Sequence, residues 1–508
     1  MSSSIRQRPV QRTWRGPVLV SQHPHIKSKK DPRTDPSPQL LRSHLLHIRT
    51  SRRNAMDRPP SPPQLRVLES TVVAPPPAPE TSLPLTFFDV YWLNSPPVER
   101  LFFYRLTPDG VPSAIISSLR SSLSHALRAY FPLAGRLRLT PGTADRYELH
   151  YRLGDGVAFT VAEYAADVDE LAADGPREVA RILPLVPPLS AGVGPVLALQ
   201  ATVLRGGLAV GISLHHAACD GASSTRFLHA WAAASTGAAA PPSPLIDRSL
   251  VTRHPSSRHI YDMYVADLTS TKEMEYVEMS SDKLLATFTL SMDDIQRVKD
   301  VVFAAAGEAG GPPPRCSSLV ATFGLIWSCY QRAKDDDDAS SSGGDPTYIL
   351  FPIDHRARMK PDPVPDEYLG NCIGAAQHAA PKDQLAAAGA GGILTACTAV
   401  AAAIEDAMGH TASPEKMVSW PEKIREAVAT GGGVLSVAGS PRFHVYDVDF
   451  GFGRPVKVEI VSVARTGAMA LAESRRSSGM EVGISLPPAG MQRFQKCFDD
   501  AIAWLHHQ

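Results

Sequence analysis

A chain of 508 residues is too long to bury one hydrophobic core and predicts at least two domains. Its 51 Lys plus Arg balance its 51 Asp plus Glu, and 44% apolar with 20% charged residues is an ordinary globular composition. The balance hides an asymmetry: residues 1–55 carry twelve basic and two acidic side chains, a net charge of +10, which leaves −10 on the remainder. An acidic body excludes nucleic acid as the main partner, because phosphate contacts need clustered Lys and Arg. The six cysteines, Cys219, Cys316, Cys329, Cys372, Cys397 and Cys497, form no CxxC pair. No histidine cluster accompanies them at zinc spacing, so no metal site is expected. Scattered thiols fit a reducing compartment.

Residues 1–55 show no apolar period and read as a disordered basic extension ahead of Met56. Acid-poor, Arg- and Ser-rich sequence also suits organelle targeting, but Pro32, Pro36 and Pro38 disfavour an amphipathic targeting helix, and a cytoplasmic location is expected. A first domain is expected over residues 56–240. It opens with a strand over Leu65–Val73, the aromatic run Phe87, Phe88, Tyr91 and Trp92, and a strand over Leu101–Arg105. A helix over Ser113–Ala129 follows, with Ile115, Leu119, Leu123 and Ala126 at helical spacing. The runs Leu197–Leu204 and Leu208–Leu214, joined by Arg205-Gly206-Gly207, predict a hairpin, and Ser223–Ala234 a helix.

Residues 241–285 lack a clear period and predict a crossover linker. A second domain is expected over 286–508, with a strand at Ala286–Leu290, then a helix from Met292 capped by Ser291 and Asp294. Ser317–Arg332 predicts an apolar helix, Asp335–Asp345 a solvated acidic loop, and Pro488–Leu505 a closing helix. Strands are expected at Tyr348–Ile353, Phe443–Asp447, Val456–Val463, Ala468–Leu471 and Met480–Leu486. Leu385–Ile404 carries no charge, but Ala and Gly dominate it and Gly391-Gly392 interrupts it, so a packed helix is expected rather than a membrane span. Strands followed by helices, twice over, predict an α/β protein with two layered domains side by side.

The sharpest local feature is Leu214-His215-His216-Ala217-Ala218-Cys219-Asp220-Gly221. An apolar strand runs into two histidines, small residues and an Asp-Gly turn before the next helix. An imidazole there sits where the chain leaves a sheet, and its ordinary pKa suits a general base near neutral pH. With seventeen histidines, about one HxxxD arises by chance, so the bare pattern carries nothing. A hydrogen-bonded core histidine with Asp220 as a cap remains the alternative. The second feature is Asp449-Phe450-Gly451-Phe452-Gly453, in which glycines give backbone freedom and two rings pin it. It has too few ionisable groups for chemistry and lacks GxGxxG spacing, so an architectural role is expected.

Together these segments resemble the BAHD acyltransferases of plant specialised metabolism, marked by HxxxD in mid-chain and DFGWG near the C-terminus. Further resemblance lies in Leu85-Thr86-Phe87-Phe88-Asp89, Pro97–Tyr104, Tyr130–Leu137, Asp354–Met359, Tyr368-Leu369-Gly370-Asn371-Cys372 and Ala472–Arg475. It is nearest the anthocyanin and phenolic-glucoside malonyltransferase branch. The resemblance implies two similar mixed-sheet domains with a solvent tunnel between them. It makes His216 the general base, with Asp220, Arg356 and Gly221 supporting its loop and Asp449–Gly453 structural. Arg297, Ser317, Arg465 and Thr466 become candidate acyl or CoA contacts.

The implied reaction moves an acyl group from CoA, malonyl first and hydroxycinnamoyl next, to a hydroxyl of a phenolic or flavonoid glucoside. The co-substrate is then malonyl-CoA or hydroxycinnamoyl-CoA, with no permanently bound cofactor, no membrane and a monomeric enzyme. Two positions depart from the family pattern. Phe452 replaces the usual Trp, and Ala222-Ser223-Ser224-Thr225 stands where many malonyltransferases carry a basic residue, leaving Arg226 or Arg465 as substitutes for holding a malonyl carboxylate. The alternatives are a hydroxycinnamoyl-CoA transferase using another alcohol or an amine, acyl-enzyme chemistry at Cys219, and a non-catalytic CoA-thioester-binding paralogue. A serine hydrolase is excluded by the lack of GxSxG.

Overall fold

The computed structural model describes residues 64–270, 282–334, 345–408, 433–476 and 478–508. The basic extension and nearly all of the acidic segment 335–345 lie outside them. In chain order the strands that frame the site are β1 (Leu65–Val73), β2 (Val98–Arg105), β3 (Val157–Asp167), β4 (Arg177–Glu178), β5 (Leu197–Arg205), β6 (Gly207–Leu214), β7 (Leu284–Leu290), β8 (Pro346–Asp354), β9 (Ile373–Pro381), β10 (Val434–Gly439), β11 (Lys457–Ile460), β12 (Met469–Glu473) and β13 (Met480–Leu486). The helices are α1 (Phe87–Val90), α2 (Pro112–Ala126), α3 (Gly221–Thr236), α4 (Ser257–Ser270), α5 (Met292–Glu308), α6 (Ser318–Lys334), α7 (Ala390–Met408) and α8 (Pro488–His506).

The first sheet has the order β1-β3-β5-β6-β2-β11 and the second β9-β8-β10-β12-β13-β7-β4. The predicted hairpin is β5–β6, antiparallel with Leu214 opposite Leu197. Both sheets are mixed, since β3 and β5 pair in parallel, as do β8 and β10. A smaller sheet joins Thr81–Pro84, Arg136–Leu139, Tyr147–Tyr151 and Gly194–Pro195.

The alternation of side chains along a strand divides the core. In β2, Phe102 and Tyr104 enter the core beneath α2, α3 and α4 with Phe227 and Trp231. Their neighbours Leu101 and Phe103 face the other way, into a separate cluster with Leu285 and Val461. A further core lies under α5–α8, around Trp327, Phe288 and Phe494. The two halves of the chain each lend a strand to the other's sheet: β11 adds to β2, and β4 adds to β7.

Several sequence expectations change on folding. The 241–285 segment contains α4, whose Ile260, Tyr261, Tyr264 and Val265 are buried. These positions do repeat at helical spacing, but polar residues between them mask the stripe. Phe443–Asp447 is not a strand but two short turns, Pro441–Phe443 and Val445–Asp447, separated by His444 with φ 49°. The strand after Pro455 ends at Ile460, and Val463–Thr466 is helical. The apolar helix α7 is long and apolar enough to span a membrane by length and composition, yet it buries Ile393, Ala396, Cys397, Val400 and Ala403 in the second core and packs on α6.

The Asp449–Gly453 loop docks on the first core. Asp449 Oδ1 accepts from the amides of Gly451 at 2.7 Å and Gly453 at 3.0 Å. Both glycines have positive φ, 98° and 107°, which only glycine adopts freely. Phe450 packs edge-on to Trp231 at 4.6 Å, and Phe452 edge-on to Tyr104 at 5.0 Å. Tyr104 closes the contact by donating to the Val448 carbonyl at 3.0 Å. The ring at 452 therefore keeps its packing without an indole N–H. Phe450→Ala should cost about 3–5 kcal/mol of stability, read as a lowered denaturant midpoint for protein whose far-UV spectrum is unchanged.

Candidate active site

Strand β6 ends at Leu214 and α3 begins at Gly221, so the residues between them form a tight connection at the sheet edge. Asp220 is the helix N-cap: its Oδ1 accepts from the Ser223 amide at 3.0 Å. Its other oxygen lies 2.8 Å from Arg356 Nη1 and accepts from the Cys372 amide at 3.1 Å. Both charged groups are buried, where an ion pair holds only if its remaining polar atoms are also satisfied. Arg356 meets that condition at both terminal nitrogens, through Asp354 at 3.2 Å and the Ser223 hydroxyl at 3.1 Å, while its Nε has no partner. Asp220 therefore points away from the imidazole and clasps the loop to the 354–372 segment. Gly221 completes the clasp by its smallness, since a Cβ there would lie 2.8 Å from the Phe443 ring.

Of the two histidines, His215 is fully buried and accepts from the Ala217 amide. Burial and the neighbouring His216 lower its pKa to about 4. It is a structural, neutral residue. His216 is only partly buried. Its ring stacks on the Trp92 indole at 3.9 Å with planes 14° apart, and its Nδ1 lies 3.2 Å from Asn371 Oδ1.

The bonds around Asn371 decide the tautomer. The Asn371 amide nitrogen reaches two acceptors, Asp89 Oδ1 at 2.9 Å and the His216 carbonyl at 2.8 Å. That nitrogen must therefore carry the hydrogens toward them, and the amide oxygen faces the ring. Nδ1 is then the protonated nitrogen, and Nε2 holds the lone pair. Asp89 is fixed in turn by the Thr86 amide and hydroxyl at 2.8 and 2.7 Å, and its charge by Arg248 at 3.7 Å. Burial lowers the His216 pKa, opposed by its own carbonyl, the field of Asp220 and the Asn371 bond. The ring is neutral at pH 7, as a general base must be.

In the sequence Asn371 stands in a segment that carries the family resemblance and Trp92 in an aromatic run, and neither has a role there. Spacing cannot show such a role, because 155 residues separate Asn371 from His216. The candidate CoA contacts do not join the site. Arg297 pairs with Asp293 on α5, Ser317 caps the Val320 amide, Thr466 donates to the Ser462 carbonyl, and Arg465 is held by Glu99 at 3.0 Å. Cys219 is buried, and burial, reinforced by Asp220, raises its thiol far above the usual range. It cannot supply a thiolate.

Two cavities adjoin this loop. One is walled by Phe87, Phe88, Tyr91, Trp92 and Tyr264. The other lies between β2 and β11 of the first sheet and β12 and β13 of the second, with Arg100 and Phe443 in its wall. Among the described residues no cluster of His, Cys, Asp and Glu could hold a metal ion.

The site thus presents an imidazole of fixed tautomer, stacked on Trp92, where the chain leaves the first sheet. Residues 64–501 match the model of the Transferase family, and the chain belongs to that family, the BAHD acyltransferases. It is 32% identical to the malonyl-CoA:anthocyanidin 5-O-glucoside-6''-O-malonyltransferase of Arabidopsis thaliana, over 85% of this chain and 97% of the relative. It is 30% identical to the coumaroyl-CoA:anthocyanidin 3-O-glucoside-6''-O-coumaroyltransferase 2 of the same plant, over 86% and 97%. The fold is that of vinorine synthase, with TM-score 0.63 at 18% identity, covering 85% of this chain and 96% of that one.

Two substitutions test the site. Asp220→Ala leaves the buried Arg356 with only the half-exposed Asp354 and strips the Ser223 and Cys372 amides of their acceptor, and should lower stability by about 3 kcal/mol in denaturant titration. Asn371→Ala should remove part of the ~10²–10⁴-fold that a general base supplies, through kcat with little change in KM. Because the Asn371 bond raises the His216 pKa, the acid limb of kcat/KM should move to lower pH in that variant.

Proposed function

We propose that this enzyme carries an acyl group, malonyl first and hydroxycinnamoyl second, from a CoA thioester to a hydroxyl of a phenolic or flavonoid glucoside. The observation that carries the mechanism is the free Nε2 lone pair of His216, fixed by the bond between Nδ1 and Asn371. Nε2 takes the proton of the acceptor hydroxyl as its oxygen attacks the thioester carbonyl carbon. The tetrahedral adduct collapses by breaking the carbon–sulfur bond, and the imidazolium returns its proton to the departing thiolate. Trp92, stacked on the ring, favours the transient imidazolium by about 0.5–2 kcal/mol. Holding both substrates in one site supplies much of the remaining acceleration.

The aromatic wall beside Trp92, with Phe87, Phe88 and Tyr91, suits the face of a phenolic ring and supports the acceptor class. The same wall favours the second donor reading, because a hydroxycinnamoyl group is also flat and apolar. The relatives cover both donors. The reading has a monomer at work, in the cytoplasm. A paralogue that binds CoA thioesters without turnover would have no need of the Asn371 and Trp92 support around His216.

Turnover of malonyl-, acetyl- and coumaroyl-CoA with flavonoid glucosides tests the reading, and no transfer from any donor would overturn it. His216→Ala should lose about 10²–10⁴-fold in kcat and keep its fold, whereas Cys219→Ser should stay close to the parent rate. Since burial lowers the His216 pKa, kcat/KM should hold level as pH falls through the usual histidine value of about 6.5 and decline only below it.

A further inference from the structure

We propose that Arg100 is the receptor of a carboxylate subsite, which takes the free carboxylate of a dicarboxylic acyl group such as malonyl while it is carried on CoA. The inference rests on the malonyl-donor reading and names the residue that would make it specific.

Arg100 sits on β2, and its side chain is 7% exposed. Every other buried basic side chain among the described residues has a carboxylate: Arg177 has Glu459 at 2.7 Å, Arg248 has Asp89 at 3.7 Å, Arg356 has Asp220 at 2.8 Å, and Lys457 has Asp174 at 2.7 Å. Arg100 has none within ion-pair distance. Among the described residues its hydrogen bond goes from Nη1 to the Thr225 hydroxyl at 2.8 Å, and the Phe443 ring lies 5.8 Å from the guanidinium carbon. Burying a guanidinium without a counter-charge costs several kcal/mol. Burial draws its pKa down to about 10, against the opposing influence of Cys219 and Asp220, so it stays charged at neutral pH.

This cation lines the cavity between the sheets. Two acids share that wall, but both are committed elsewhere: Glu459 to Arg177 and to Lys457 at 3.7 Å, and Glu481 to the Tyr446 hydroxyl at 2.6 Å with Arg475 at 3.8 Å. The rest of the lining, including Val458 and Leu471, is largely apolar. Arg100 is the one basic side chain among the described residues of that lining, and the two acids beside it already have partners behind the wall.

Arg100 itself adjoins the catalytic loop. A Cβ on Gly221 would lie 3.5 Å from Arg100 Nη2, and the Arg100 charge acts on the His216 imidazole. A malonyl carboxylate stands one methylene beyond the thioester carbonyl, so a cation that adjoins the base's loop is placed to hold it. A guanidinium offers the planar, two-pronged donor set that a carboxylate accepts. The cation absent from the chain after Asp220-Gly221 is thus supplied from β2, beneath the same helix start.

Calorimetric titration of malonyl-CoA and acetyl-CoA into the parent protein, R100Q and R100M tests this, alongside turnover of both donors with a phenolic glucoside. Because Arg100 has no carboxylate partner, neither variant leaves a buried acid bare, and both should unfold close to the parent temperature. The parent should bind malonyl-CoA more tightly than acetyl-CoA. R100Q and R100M should reduce that ratio by about 30-fold or more, whatever the change in absolute rate, and R100K should restore part of it. Equal affinity of the parent for the two donors, a ratio unchanged in the variants, or a parallel loss for both donors would overturn the subsite. Arg100-dependent preference without malonyl transfer would instead sink the donor reading and leave the subsite standing.

Discussion

The carboxylate of Asp220 and the guanidinium of Arg356 meet at 2.8 Å in a place that water does not reach. Neither charge could stay there without the other, so the two segments that carry them cannot separate without exposing both. That constraint ties the end of β6 to the segment after β8, from opposite halves of the chain. It also brings the 368–372 stretch across the loop, with the Ser223 hydroxyl donating to the Tyr368 carbonyl at 2.8 Å and the Cys372 amide donating to Asp220. Asn371 arrives at the imidazole because its neighbours are held this way.

The site then divides labour among groups that look alike in the sequence. Of two adjacent histidines, one is sealed and inert, and the other keeps a nitrogen open. Of two nearby aspartates, Asp220 holds the loop and Asp89 orients an amide, and neither touches the ring. An amide rather than a carboxylate faces Nδ1, which fixes the tautomer without adding a negative charge. The base therefore remains neutral and ready at working pH, and its basicity is kept moderate by burial. Around it, the buried cations are matched by acids except at Arg100, whose charge is left facing the space between the sheets.

Much of this was legible from the chain. The β5–β6 hairpin, the capping box at Ser291 and Asp294 and the strand before the histidines follow from short-range rules on turns, caps and alternation. The Asp220–Arg356 contact was reached through family resemblance, since 136 positions of chain carry no local signal of it. Asn371, Trp92 and Arg100 escaped because their roles depend on which strands become neighbours: Arg100 lies opposite both Ile212 and Ile460 only after β11 joins the first sheet. The helix α4 was hidden for a simpler reason, as its buried positions are tyrosines and single aliphatics among charged residues. The turns at 441–447 read as a strand because aromatic and β-branched residues fit both, and a left-handed His444 is not visible in composition.

The central claim is that His216 waits as the neutral ring with its proton on Nδ1. Nitrogen NMR of the histidine-labelled enzyme, with the His216 signals assigned by difference from H216A, reads this directly. The account predicts a protonated, pyrrole-like Nδ1 and an unprotonated, pyridine-like Nε2 at pH 7. The opposite tautomer, or a doubly protonated ring at that pH, would contradict it.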